Sequence, residues 1–312
     1  MSAGEREPAA GAGEPAETPA QEAEERTELE HIEAGGIPMA AERRLGALRQ
    51  GGGAFTSDLS VSGFALCHRL GLKPLSQVMG SSIYQMGYQG ASWPMMMGGA
   101  VLTELVVLSE AWNEVRRLAL NRLALEAEQA GADAVVGVQV RTAAHDWAEG
   151  AIEYAVLGTA VSRAGHGQGG GPVLTELSVS EYAKLIEAGV EPLGIVAWTS
   201  VFFAAQEQAL GLLGGGGYNP MSNYELPQLT QGVYGAREQV MRRIGQQAQS
   251  HGASGIVGVR VGHSVRRQEV GGGIGGTSRA GAVITFDAIG TAVRDTGAAK
   301  VSPPQTKLDL NE

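Results

Sequence analysis

Two short stretches of hydroxyl, amide and aromatic side chains are the residues best suited to contact a small molecule. The candidate ligand-binding residues are Ser81, Ser82, Tyr84, Trp198, Thr199 and Ser200. Neither stretch contains a charged residue, which favours a neutral or aromatic ligand held by a few polar groups. The alternative is that these groups satisfy one another's hydrogen bonds at an interface within the protein.

Sulfur-bearing residues form a second candidate set, which would bind a metal. The candidate ligands are Cys67, His68, Met95, Met96 and Met97. Thioether and thiolate ligands suit a soft metal such as Cu(I). A tetrahedral site would need paired Cys or His residues at short spacing, and the sequence has no such pair. The alternative is a buried Cys67 and methionines that serve as adaptable apolar contacts. No other cofactor is predicted.

Patterns for catalysis and nucleotide binding are weak. Nucleophilic catalysis needs a base beside the nucleophile and a third group that orients the base, whereas His145 and Asp146 fall in a predicted hairpin turn. Gly271, Gly273 and Gly276 fit G-x-G-x-x-G, but a strand rather than a helix follows them. We therefore expect a protein that is not an enzyme.

Charge and composition narrow the class further. Residues 1–33 hold ten glutamates and two arginines, so they supply −8 of the net charge of −10. The rest of the chain is nearly neutral, which disfavours nucleic acid as a partner. A single cysteine suits a reducing, cytoplasmic setting. No apolar run reaches the roughly 20 residues that a membrane span needs.

The N-terminal region reads as a tail. Residues 1–33 are rich in Glu, Ala and Pro and carry almost no large apolar side chain, so we predict disorder. Residues 37–49 have the pattern of a short amphipathic helix, and Gly51–Gly53 form a flexible joint. Residues 1–50 are the candidate docking segment for a protein partner.

A ten-residue sequence pattern, called the repeated phrase, occurs twice in the rest of the chain. Residues 131–140 and 252–261 both read as the glycine that ends a helix, followed by a valine-rich strand with an internal glycine. The segments before this phrase match at an offset of 118, the long helices at 121 and the closing strands at 132. Offsets that only grow indicate a tandem duplication with longer loops in the second copy.

Each copy reads as short helix, strand, insertion, long helix and two strands, which is an α+β plan. Three strands make a thin sheet whose edges need covering. We expect those edges to pair both within the chain and between subunits.

The helix end at Gly131–Val138, the closing strand Leu157–Val161 and the first strand Pro74–Ser82 resemble the YbjQ-like family, whose members are often labelled heavy-metal-binding domains. The resemblance implies a dodecin-like unit that assembles into a ring, commonly of five single-domain subunits. It implies no reaction and no particular metal ligands.

The sequence thus predicts two tandem dodecin-like units, each a small antiparallel or mixed sheet packed on one long helix. The predicted boundaries are a tail at 1–53, units at 54–164 and 173–296, a glycine-rich linker at 165–172 and a disordered tail at 297–312. The predicted function is a non-enzymatic, ring-forming homo-oligomer or small-ligand-binding protein. The alternative is a heavy-metal-binding or metal-storage module.

Overall fold

The protein has a mixed α+β fold, as predicted. A computed structural model describes residues 18–85, 102–144, 151–163, 171–205, 225–270 and 279–297. The helices of these residues are α1 (Pro19–Glu33), α2 (Met39–Arg49), α3 (Val61–Arg69), α4 (Val106–Ala130), α5 (Val179–Glu187) and α6 (Pro227–Ser250). The strands are β1 (Leu72–Gln85), β2 (Leu102–Glu104), β3 (Ala134–Ala144), β4 (Ala151–Arg163), β5 (Val173–Leu174), β6 (Val190–Ala205), β7 (Gly255–Val270) and β8 (Arg279–Asp295).

The strands form two four-stranded sheets. The N-terminal sheet has the order β1-β4-β3-β5, and the C-terminal sheet has the order β2-β6-β8-β7. The short fourth strand of each sheet comes from the other half of the chain: β5 pairs parallel with β3, and β2 pairs antiparallel with β6. Each sheet therefore has one edge partly covered by the other half.

One long helix packs on each sheet. In α4, buried residues spaced four apart (Val115, Ala119, Leu123 and Ala127) face the N-terminal sheet. In α6, Ala236, Val240, Ile244 and Ala248 have the same spacing and face the C-terminal sheet. Side chains at this spacing lie on one helical face, which explains why each helix buries a single stripe.

The internal glycines of the repeated phrase lie at β-bulges. Gly137 has φ 66° and Gly258 has φ 64°. The pairing of β3 with β4 shifts register between Val136 and Gln139, and β7 with β8 shifts between Val257 and Arg260. A residue with positive φ is most easily glycine, so both strands need it at this position.

The prediction of disorder is wrong for residues 19–33, which form α1. Thr18 and Gln21 make a capping box and Pro19 occupies the first turn, where its missing N–H costs nothing. The C-terminal end of α1 is bound by Arg122 of α4, which donates to the Ile32 carbonyl at 2.9 Å. Composition fails here because the helix is stabilised by docking on the fold rather than by apolar content of its own.

The other predicted termini and linker are described only in part. α2 lies within the predicted short helix at 37–49. Residues 1–17, 164–170 and 298–312 fall outside the described part of the chain. In the ranges that the structure does describe, none of the helices combines the length and apolar character of a membrane span.

Candidate functional site at the junction of the two sheets

The edge of β6 is bound by side chains of α4, which belongs to the other half of the chain. The Asn113 side-chain amide donates to the Thr199 carbonyl at 2.9 Å, and its oxygen accepts from the Thr199 N–H at 3.0 Å. Ser109 Oγ accepts from the Val201 N–H at 2.9 Å, and the Leu105 N–H donates to the Val201 carbonyl at 2.7 Å. Side chains here replace the hydrogen bonds of a neighbouring strand.

A buried arginine extends this contact across both sheets. Arg116 Nη1 donates to Asn113 Oδ1 at 2.7 Å, Nε donates to the Tyr154 hydroxyl at 3.2 Å, and Nη2 donates to Thr199 Oγ1. Asp287 lies beside Thr199 on the next strand. Burial raises the pKa of Asp287, while the nearby Arg116 and His263 charges oppose the rise. A buried guanidinium that satisfies three partners fixes the relative position of the two halves.

A cleft of about 750 Å³ opens next to this contact, between α4, the first part of β6 and the C-terminal end of α6. Its walls include Leu120 and Leu174 on one side and Ile195 and Trp198 on the other. Trp198 occupies the position that Gly80 has in the first half of the chain.

The halves differ in a glycine and a tryptophan at matching positions. A Cβ at Gly80 would lie 1.9 Å from the Ala119 carbonyl, so α4 contacts β1 backbone directly. At the matching position the Trp198 ring lies under α6, with the Arg243 guanidinium 5.1 Å from its centre. The indole Nε1 of Trp198 is buried and has no hydrogen-bond partner among the described residues.

The six predicted ligand-binding residues fall into two groups. Trp198, Thr199 and Ser200 lie on β6 at the junction, but only Trp198 lines the cleft. Ser200 is buried and its Oγ has no partner among the described residues. The Thr199 hydroxyl instead accepts a hydrogen bond from Arg116.

The other three lie on β1, away from the cleft. The Ser81 carbonyl accepts from Arg122 at 2.7 Å. Ser82 is buried opposite Tyr154, and Tyr84 packs against the core of the N-terminal sheet. The structure therefore does not gather all six residues around one cavity, and their role in binding stays a prediction.

The predicted metal ligands are also separate. Cys67 is buried among Leu72, Val136 and Val161, and burial raises the pKa of its thiol. His68 packs edge-on against Phe64 at 4.8 Å. Residues 95–97 lie outside the described residues. Within the described ranges, no three His, Cys, Asp or Glu side chains cluster as a metal site would require.

Sequence reasoning missed the residues that make the junction. Ser109, Asn113 and Arg116 are spaced four and three apart, which places them on one face of α4. In the sequence, a polar stripe of this kind cannot be told from a solvent-exposed helix face, because its hydrogen-bond partners on β6 lie more than 80 positions away in the chain. The sequence carries no signal for these residues, since an asparagine between Trp112 and Glu114 on a helix is equally consistent with exposure to solvent.

Comparison with known proteins places the chain in a family. The family model YbjQ_1, described as "Putative heavy-metal-binding", matches residues 75–164. The Encapsulin nanocompartment protein Rv1762c of Mycobacterium tuberculosis (strain H37Rv) is 33% identical over 285 residues, which cover 88% of this chain and 97% of that protein.

The UPF0145 protein NT01CX_0170 of Clostridium novyi (strain NT) is 39% identical over 90 residues, which cover 29% of this chain and 84% of that protein. The mycobacterial protein is thus a relative over almost its full length, and the clostridial one matches a segment of this chain. The chain therefore belongs to the YbjQ-like family, UPF0145.

Proposed function

We propose that the chain is a subunit of a closed homo-oligomer, built from two tandem dodecin-like units, and that it is not an enzyme. The two long helices, the paired bulges and the matching strand orders support a duplicated unit. In this proposal the contact of α4 with β6 is one ring interface contained within a single chain. A second interface of the same kind would then join neighbouring chains.

The observation that carries the proposal is the difference between matching positions in the two halves. Val138 of β3 is 1% exposed because Leu174 and Ile195 from the second half pack against its core. The matching residue Val259 of β7 is 38% exposed, and Val261 beside it is 59% exposed. The second unit thus exposes an apolar strand surface whose counterpart in the first unit is covered.

The helix next to β7 shows the same difference. Tyr234 of α6 matches Asn113 of α4 in sequence, and it is 67% exposed. We call the surface made by Tyr234, Val259 and Val261 the donor face. It corresponds to the side of the first unit that binds β6.

A complementary surface lies on the first unit. Ile83 of β1 matches Val201, which is buried against Leu105 at the junction, yet Ile83 is 56% exposed. The segment 54–59 matches 172–177, whose backbone pairs with β3 through Thr175 N–H to Val135 O and Gly137 N–H to Leu177 O, both 2.9 Å. We call Ile83 and the segment 54–59 the acceptor face. One chain thus carries one face of each kind.

The interface between chains would be weaker than the internal one. Ile195 and Leu174, which pack on the first core, are matched by Gln77 and Thr56 on the acceptor face. The interface between chains therefore buries less apolar surface than the internal one. Each Å² of buried apolar surface contributes roughly 25 cal/mol to the free energy of association. Assembly would therefore depend on protein concentration.

The relative that matches over almost its full length supports an assembling protein, since its name assigns it to an encapsulin nanocompartment. We extend only the property of assembly to this chain, together with a soluble, cytoplasmic location. The partners are further copies of the chain rather than nucleic acid.

Light scattering on Val261→Lys tests the proposal. We expect the wild type to form a defined oligomer and the variant to be a monomer, because a lysine ammonium would be desolvated in the interface. Val107→Lys is the matched control, since Val107 is an exposed valine of α4 outside both faces. A Val261→Lys variant that assembled as the wild type does would refute the proposal.

The cleft at Trp198 supports a second function, binding of a flat apolar molecule with a hydrogen-bond acceptor. Anilinonaphthalene sulfonate is a suitable probe because it combines aromatic rings with acceptor oxygens. We expect saturable binding by the wild type and affinity about 5-fold to 30-fold lower in Trp198→Ala, which removes the indole from the wall of the cleft. Equal affinity in both would exclude the cleft as the site.

A metal-binding function is supported by the family description alone. The test is metal analysis of untagged protein followed by Cu(I) titration of the wild type, of a variant with leucine at 95–97 and of Cys67→Ala. Uptake lost only with the leucine variant would assign the metal to the methionines, and no uptake by the wild type would remove this function.

A further inference from the structure

The N-terminal helices lie beside the β1 edge of their own chain, next to the acceptor face, of which Ile83 stays 56% exposed. We call residues 19–49 the N-terminal hairpin. Arg122 of α4 holds its turn: Nη2 donates to the Ile32 carbonyl at 2.9 Å and Nε donates to the Gly36 carbonyl at 3.1 Å. The same guanidinium donates through Nη1 to the Ser81 carbonyl on the edge of β1 at 2.7 Å. The Arg122 guanidinium therefore lies between the turn of the hairpin and that edge and hydrogen-bonds to both.

The second helix of the hairpin packs along α4. Arg44 Nη2 lies 3.2 Å from Glu126 Oε2, and that oxygen also accepts from the Met79 N–H of β1 at 2.9 Å. Farther along, Gln129 donates to Glu42 at 3.1 Å. Ile37 and Leu45 of the hairpin are fully buried, so the docking combines two apolar anchors with several polar contacts.

The matching place on the C-terminal sheet is occupied differently. Ser81 matches Thr199, and the Thr199 carbonyl accepts from Asn113 of α4. Glu126 matches Gln247, whose Oε1 accepts from the Ala197 N–H at 3.1 Å, as Glu126 does from Met79. The backbone groups are equivalent, but a helix of the other unit binds the β6 edge, whereas Arg122 and Glu126 of α4 bind the β1 edge and the hairpin lies next to them.

We propose that the N-terminal hairpin takes the place, beside the Ser81 carbonyl and next to the acceptor face, that α6 of a second copy of this chain would occupy, so that the chain blocks its own assembly until the hairpin leaves. This inference rests on the proposed function. An incoming α6 that approached the Ser81 carbonyl as α4 approaches the Thr199 carbonyl would overlap Ile32 and Gly36. The two occupants are therefore mutually exclusive.

The competition has a simple concentration dependence. A segment tethered to its site binds at an effective concentration of order mM, so the hairpin wins while chains are dilute. A neighbouring copy can bind only those chains whose hairpin is released. Its apparent affinity is therefore the intrinsic affinity multiplied by the fraction of such chains. Release of the hairpin by another ligand would trigger assembly.

The experiment compares full-length wild type with Leu45→Asp by sedimentation velocity over a range of concentrations. A charge in the buried Leu45 position releases the hairpin, and we expect assembly at concentrations at least about tenfold lower than for the wild type. Ala40→Asp is the matched control, because Ala40 is an exposed residue of α2. It should assemble as the wild type does.

Hydrogen exchange of wild-type residues 19–49 gives a second readout that needs no substitution. We expect slow exchange in dilute protein and fast exchange in the assembled protein. Assembly with the hairpin still protected, or equal assembly by wild type and Leu45→Asp, would overturn this inference and leave the proposed function standing. If neither protein assembles at any concentration, both the inference and the proposed function fail.

Discussion

Asn113 is the residue on which the contact between the two halves depends most directly. Its amide serves both the N–H and the carbonyl of Thr199, which is buried. In Asn113→Ala both backbone groups lose their partner, and an unsatisfied buried group costs about 1–3 kcal/mol. We expect the free energy of unfolding to fall by at least about 2 kcal/mol in urea titration.

Asn121→Ala is the control, since Asn121 is exposed on the same helix. A surface substitution of this kind changes stability by no more than about 0.5 kcal/mol. If the two variants were equally stable, Asn113 would not hold the junction. None of this follows from sequence, because an asparagine on a helix surface gives no sign of a strand edge more than 80 positions away.

Glu126 makes a pH-dependent contribution. Burial raises its pKa, and the Met79 N–H and Arg44 oppose the rise without cancelling it. A carboxyl with a raised pKa in the folded state stabilises the fold below its unfolded pKa, near 4.5, and loses that contribution as the pH rises through the folded pKa. Glu126→Gln keeps the acceptor for Met79, as Gln247 does for Ala197, and cannot titrate.

The expected result is that wild type loses stability relative to Glu126→Gln as the pH rises from about 4 towards neutrality. Urea unfolding at a series of pH values measures the difference between the two proteins. Glu176 and Asp287 also have raised pKa values, but both variants retain them, so they cancel. A difference independent of pH would show that the Glu126 carboxylate is not penalised by burial.

At the scale of the secondary structure elements, the two halves differ in how closely the long helix approaches the first long strand. Gly80 lets α4 touch β1, and Trp198 at the matching position accompanies the open cleft under α6. In Gly80→Ala the new methyl group would clash with the Ala119 carbonyl, so the helix must shift. Overpacking of this kind costs typically 1–3 kcal/mol.

The control is Gly245→Ala in α6, where a Cβ would meet nothing within 4 Å. Alanine is a better helix former than glycine by roughly 1 kcal/mol, so this variant should be more stable than wild type. Thermal unfolding of the two variants should therefore move in opposite directions. Loss of stability in neither variant would contradict the close approach at Gly80.

The helices and long strands were predictable because their signals are local. Apolar residues spaced three and four apart define α4 and α6, and Gly131 and Gly252 end them. The short strands β2 and β5 were not predictable, since each exists only by pairing with the other half of the chain. The helix α1 was missed for the same reason: its stabilising partner, Arg122, lies on another element.

At the scale of the whole molecule, the proposed donor and acceptor faces would require a head-to-tail arrangement. Each proposed interface would join the donor face of one chain to the acceptor face of the next, so the association would be heterologous and would close only as a ring. A two-fold dimer would instead pair identical faces. The sequence repeat predicts two similar units, but only the unequal exposure of Val138 and Val259 shows which side is free.

Mixing two blocked chains separates these arrangements. Val261→Lys disables the donor face and Ile83→Lys disables the acceptor face, and each variant alone should remain a monomer. In an equimolar mixture the intact acceptor face of the first binds the intact donor face of the second. We therefore expect a one-to-one heterodimer by native mass spectrometry and no larger species, because neither outer face can continue the ring.

Two results would contradict the head-to-tail arrangement. If Ile83→Lys alone formed dimers through its intact donor face, the association would be two-fold. If the mixture stayed monomeric while the wild type assembled, the faces would have been assigned wrongly. Adding Leu45→Asp to the Val261→Lys chain removes the hairpin from the place beside its acceptor face, so the heterodimer should then form at lower concentration, which links the assembly to the docking of the N-terminal hairpin.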